Sequence, residues 1–158
     1  MNTVIKSIID PDFGPLDLVE TRTKASVLGR PKKAAVHRSW ERPNEGGPGT
    51  LTIDDADGTP DAAAEVRQTF RAISGDIGAL KLQAAQRSMD MAKTWADGEM
   101  MKHLESPATF VSVLELEGMS IGGGLMTVWF ADTADIFAGH SLEVRIEDGE
   151  IKEVTLAG

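Results

Sequence analysis

The apolar positions of this chain change period twice and divide it into three segments. In residues 1–58 the period is that of strands. Leu16-Asp17-Leu18-Val19-Glu20 partly alternates, Ala25 to Leu28 and Ala34 to Trp40 are further short runs, and Thr50-Leu51-Thr52-Ile53 is a fourth. Asp10-Pro11-Asp12-Phe13-Gly14-Pro15 is a turn cluster, since Pro fixes φ and Gly permits strained backbone. Gly29-Arg30-Pro31 lets the Ala34–Trp40 run pair back on Ala25–Leu28, and 41–49 is a Gly/Pro-rich loop. A small antiparallel meander is expected.

The period then becomes helical. Thr59-Pro60 reads as an N-cap followed by proline at the first helical position, with Asp61 favoured by the helix dipole. Val66, Phe70 and Ile73 form one apolar face. Ser74-Gly75 interrupts, Asp76 caps a second helix, and Ile77, Leu80, Ala84, Met91 and Trp95 line one side of it until Asp97-Gly98. This helix is the expected spine of the molecule, with Met89, Met91 and Trp95 as core filler.

Strand period returns after a short helix opening at Ser106-Pro107 and carrying Phe110, Val111 and Leu114. A strand runs from Leu114 to Ile121, Gly122-Gly123-Gly124 turns the chain, and Leu125 to Phe130 returns it. After the Asp132-Thr-Ala-Asp135 turn, Leu142, Val144 and Ile146 alternate with Glu143 and Arg145. The closing hairpin has two candidate registers. A two-residue Asp148-Gly149 turn opposes Ile146 to Ile151 but Val144 to Glu153. A three-residue loop opposes Leu142 to Val154 and His140 to Leu156, and is preferred because it keeps one face apolar. His140 is then expected beside Leu142 at the mouth of the core. The whole reads as one α+β domain: antiparallel β-meanders at the two ends (1–58 and, with its helix, 106–158) packed on a central pair of helices (59–98).

The chain's 158 residues are 41% hydrophobic and 26% charged, as in a globular domain, and suffice for a core without metal or disulfide. No cysteine is present, which removes disulfides, thiolate metal sites and thiol nucleophiles. No stretch approaches the roughly 20 apolar residues of a membrane span and none resembles a secretory signal, so a cytoplasmic location without membrane partners is expected. The net charge of −9 is unevenly spread. Positions 20–42 carry seven Lys/Arg against two acids, whereas 104–158 carry two against ten. An acidic chain lacking aromatics among its basic residues is a poor nucleic-acid binder.

Leu114-Glu-Leu-Glu-Gly-Met-Ser-Ile121, Val128-Trp-Phe-Ala-Asp132 and Asp135-Ile-Phe-Ala-Gly-His-Ser-Leu142, continuing to the closing Leu156-Ala-Gly158, resemble the bacterial family catalogued as domain of unknown function 2262, with weaker likeness at Thr94-Trp95 and Asp10-Pro11-Asp12-Phe13-Gly14. Ala138 stands where that family usually shows an aromatic ring. The resemblance implies a bacterial, cytosolic protein. It brings no activity, cofactor or catalytic residue, only an association of such small acidic families with toxin neutralisation.

Candidate chemistry is sparse. Gly139-His140-Ser141-Leu142-Glu143 matches a nucleophile elbow in its Gly and Ser only, and a strand follows where a helix is needed. His140 with Asp135 and Ser141, in a pocket beneath Trp129 and Phe137, is the candidate for acid–base or small-ligand work. His37, His103 and His140 share no metal-ligand spacing. Asp54-Asp55-Ala56-Asp57-Gly58 fails as a calcium loop, because Ile53 and Ala64 fall at its first and last ligand positions. Gly122-Gly123-Gly124 precedes no helix and reads as a turn rather than a phosphate cradle. No metal or cofactor is expected. The acids Glu143, Glu147, Asp148, Glu150 and Glu153 crowd one hairpin and are the best candidates for docking a basic protein. A non-enzymatic binding module is therefore the leading expectation, and a His140-centred enzyme or ligand site the alternative.

Overall fold

Three rows of apolar side chains cross the sheet and define the molecule. The computed structural model describes residues 2–23, 26–27, 30–31, 35–43, 49–54 and 59–158. Its elements are β1 (Asn2–Asp10), β2 (Gly14–Thr23), β3 (Ser26–Val27), β4 (Arg30–Pro31), β5 (Ala35–Glu41) and β6 (Thr50–Asp54). They continue with α1 (Ala64–Gly75), α2 (Ile77–Trp95), a 3₁₀ helix (Gly98–Leu104), α3 (Pro107–Val111), β7 (Leu114–Gly122), β8 (Leu125–Asp132), β9 (Ser141–Glu147) and β10 (Glu150–Ala157). Eight strands form one sheet in the order β1-β2-β5-β6-β7-β8-β9-β10. All neighbours are antiparallel except β6 and β7, which are parallel. A parallel pair needs a crossover, and the helices supply it.

Register aligns Leu18, Trp40, Ile53, Ile121, Met126, Ile146 and Ile151 in one row across seven strands. Leu51-Met119-Val128-Val144-Val154 and Leu116-Phe130-Leu142-Leu156 make the second and third. Side chains alternate across a strand, so all three rows share one face. They join Val66, Phe70 and Ile73 of α1, and Leu80, Ala84, Ala85 and Ala92 of α2, in one core. The other face carries Thr52-Ser120-Thr127-Arg145-Glu153 and Gly118-Trp129-Glu143-Thr155.

Several expectations need correction. The terminal meanders are not two sheets on a central helix pair: parallel pairing of Thr50–Ile53 with Gly118–Ile121 fuses them into one sheet, strands dominate, and the helices lie on its apolar face. Asn2–Asp10 adds a further strand at the edge of that sheet, most of it exposed. The Ala35–Glu41 strand pairs with β2, Thr23 opposing Ala35, while β3 and β4 form a separate ribbon. Part of the Ala25–Leu28 run, part of the 41–49 loop and Asp55–Gly58 lie outside the described residues.

α1 begins at Ala64 rather than Pro60. The Asp61 N–H already donates to Thr59 O at 2.8 Å, and Pro60 O accepts from Arg67 at 2.7 Å, which holds that stretch in a turn. Asp76 does cap α2, accepting from the Ala79 N–H at 3.0 Å. The buried stripe of α2 is Leu80, Ala84, Ala85, Ser88 and Ala92, residues mostly small enough for close approach to the sheet. Ile77, Met89 and Met91 flank this core, whereas Trp95 is 45% exposed.

The closing hairpin follows neither register throughout. Asp148 (φ 53°) and Gly149 (φ 76°) make a two-residue turn with Ile146 opposite Ile151. Lys152 is then bulged out, which brings Val154 opposite Val144 and Leu156 opposite Leu142. The apolar face is kept by one extra residue rather than by a longer loop.

Candidate functional site

The coil between β8 and β9 is built by Asp132. Its carboxylate accepts from the backbone N–H groups of Ala134 and Phe137, each at 2.9 Å. Asp135, Ala138 and Gly139 all take positive φ (57°, 51° and 85°), and the His140 N–H donates to Phe137 O at 3.1 Å. This coil drives Ile136 and Phe137 into the core, where Phe137 packs edge-on against Phe110 (6.0 Å) and Trp95 (6.5 Å). His140 stands edge-on to Trp95 with ring centroids 5.6 Å apart, and Gly158 lies so close to its imidazole that a Cβ there would overlap the ring.

The catalytic candidates do not converge. Ser141 donates to the Glu117 carboxylate, and among the described residues no hydrogen bond joins His140, Asp135 and Ser141. Trp129 and Phe137 do not share a pocket. Phe130 belongs to the apolar face and Trp129, its neighbour, to the other, where its indole N–H donates to Glu143 at 3.0 Å. Strand alternation separates the two rings by the thickness of the sheet.

The five hairpin acids divide as well. Glu143 and Glu153 lie on the open face, Glu153 3.3 Å from Arg145. Glu147 is exposed beside the turn. Asp148 and Glu150 border the helices where the turn meets them, and Glu150 is also held 3.0 Å from Lys152, which lowers its pKa. His37 lies 3.7 Å from Asp54, away from the hairpin on β5. Among the described residues no group of three or more His, Asp or Glu is arranged to hold a metal ion, and no helix is long and apolar enough to cross a membrane.

What sequence reasoning missed is a groove of about 770 Å³ between α1, α2 and the β9–β10 turn. Along α1 it is lined by Glu65, Gln68, Thr69, Ala72, Ile73 and Asp76, a single stripe at helical spacing. Ala79, Leu80, Gln83 and Arg87 of α2 form a second wall, and Ile146, Asp148, Gly149, Glu150 and Ile151 close it. Arg87 donates to Ile151 O at 2.7 Å and ties helix to hairpin. The α1 stripe was legible in the sequence as a polar helix flank. Its meeting with the acidic turn was not, because that depends on the crossover returning α1 over β9 and β10.

No family model, curated protein or solved structure matches the chain.

Proposed function

We propose that this chain is a non-enzymatic protein-binding module that docks a basic partner through its acidic C-terminal hairpin, toxin neutralisation being one form such docking takes. The observation that carries this reading is the charge distribution: ten acids against two bases after residue 104, five of those acids on one hairpin. Opposite charge speeds encounter and orients binding. We also propose kinship with the domain of unknown function 2262 family, carried by the motifs within 114–158.

The test is to isolate a partner from the organism's lysate, purify it, and measure 1:1 binding by calorimetry. Wild type is compared with a variant in which Glu147, Asp148, Glu150 and Glu153 are all changed to Lys. Affinity should fall at least about tenfold in the variant, a loss of about 1.4 kcal/mol, and should weaken as salt is raised for the wild type. Unchanged affinity in the variant sinks the docking surface. A second reading, a small-ligand site or enzyme at His140, has one observation in its favour, the half-exposed Trp95 beside the imidazole. Metabolite binding that His140→Ala abolishes, with the fold intact, would shift the assignment to it.

A further inference from the structure

We propose that the groove between α1, α2 and the β9–β10 turn seats one face of a basic amphipathic helix from a protein partner. The inference rests on the docking reading and assigns it a definite seat, away from the open face of the hairpin.

Shape, floor and rim each favour that occupant. The α1 wall runs from Glu65 to Asp76, roughly 16 Å at the helical rise, the length of about three helical turns. Both helical walls present an exposed alanine, Ala72 and Ala79, so a third helix can approach closely. The floor is apolar: Ile73, Leu80, Ile146 and Ile151. Ile73 and Ile151, at 8% and 9% exposure, are with Val113 the least covered members of the core. An apolar ridge on a docking helix would complete their burial, the usual arrangement of a helix in a groove.

Charge then selects the sign of that helix. Glu65, Asp76, Asp148 and Glu150 border the groove against one cation, Arg87. Arg87 is already committed to Ile151 O, and Asp76 to the Ala79 N–H. Glu65 of α1 and Asp148 of the turn are both exposed. Lysines or arginines flanking the apolar ridge would meet these carboxylates, whereas an acidic helix would be repelled.

The test is an amide-resolved NMR titration of the full ¹⁵N-labelled chain. The probe is a synthetic helix of about fourteen residues, near the length at which isolated helices become marginal, with leucines on one face and lysines elsewhere. A matching peptide with glutamate for lysine is the control. Saturable shifts are expected at Gln68, Ala72, Ala79, Gln83 and Gly149 with the lysine peptide only. Ala72→Arg and Ala79→Arg, both at exposed positions, should each weaken binding at least about tenfold without altering amides of the core; that fold-change is about 1.4 kcal/mol. Shifts confined to Glu143, Arg145 and Thr155 would overturn the groove while leaving the docking reading intact. No saturable shift, or equal binding of the glutamate peptide, also overturns it. Groove amides that move with protein concentration alone would make a second copy the occupant and overturn it as well.

Discussion

Arg67 ties three parts of the chain together. Its guanidinium donates to Asp10 (3.0 and 3.4 Å), to Asp12 (3.1 Å) and to Pro60 O (2.7 Å), and stands 4.7 Å over the Phe13 ring. Phe13 in turn packs against Phe70 at 4.8 Å, so the β1–β2 turn is fastened to α1 by both charge and ring. Asp10 also accepts from the N–H groups of Asp12 (2.9 Å) and Phe13 (3.1 Å). Replacing Arg67 with Ala leaves the 7%-exposed Asp10 without its counter-ion. The expected loss is about 1–2 kcal/mol, below the range for fully buried pairs because Arg67 itself keeps contact with water. Urea unfolding of the variant measures it, and a midpoint equal to wild type would show that the backbone N–H groups alone hold the carboxylate.

Short elements here depend on their caps. α3 has five residues, too few to persist by propensity, and Ser106 and Thr109 close a reciprocal cap around its first turn. The element delivers Phe110 (0% exposed) to the core, so Ser106→Ala should cost about 1 kcal/mol, visible as a lower denaturant midpoint with unchanged slope. A changed slope would mean that the cap also governs the compactness of a wider region. The start of α3 was legible from Ser106-Pro107, as was the α1 face from Val66, Phe70 and Ile73, since local chemistry and the 3.6 period determine both. The hairpin register was not, because a single bulged residue such as Lys152 is invisible to a count that assumes unbroken alternation. Trp95 differs for a related reason: it extends the α2 stripe in sequence, yet it stands half exposed, edge-on to Phe137 and His140 of the β8–β9 coil. Of the candidate site, the acids were legible by position; their division between an open face and a groove needed the tertiary fold.

At the scale of the whole molecule, acid should weaken the N-terminal half first. Burial alone would raise the pKa of Asp10, but the Arg67 hydrogen bond and the two N–H groups outweigh it and hold it below its ordinary 3.8. Arg71, with Arg67 assisting, lowers Asp12, and Arg22 and Arg38 lower Glu20. A carboxylate depressed in the folded state favours folding fully above its unfolded pKa. As pH falls through the range near 4 and below, the unfolded chain takes up protons first and that stabilisation drains away. Amide exchange followed as a function of pH should show β1, β2 and α1 losing protection before β8 and β9; simultaneous loss would assign acid sensitivity to the fold as a unit.

The sheet is open, with β1 and β10 as its two edges, and unpaired edge strands invite pairing with other chains. Both edges carry the same two devices. β1 bulges at Ile5, directly before Lys6, and β10 bulges at Lys152 itself. A bulge bends the edge away from a flat template, and a lysine must lose its hydration for another strand to dock. The need is clearest on β1, where Val4, Ile5 and Ile9 are 56%, 50% and 85% exposed. Deleting Ile5 would set Val4 and Lys6 opposite Val19 and Leu18 in unbroken register, and deleting Lys152 would do the same for Ile151 and Glu153 opposite Ile146 and Arg145. Each deletion preserves the apolar rows, so the domain should still fold. The double deletion should nevertheless raise the average mass seen by light scattering as protein concentration increases, with β-sheet content rising in parallel. Deleting Ile5 alone should produce most of that effect, because it leaves Val4 and Ile9 on a straightened edge. If scattering from the double deletion matches wild type, the bulges are consequences of chain length between fixed apolar rows, and the lysine charge alone keeps the edges apart.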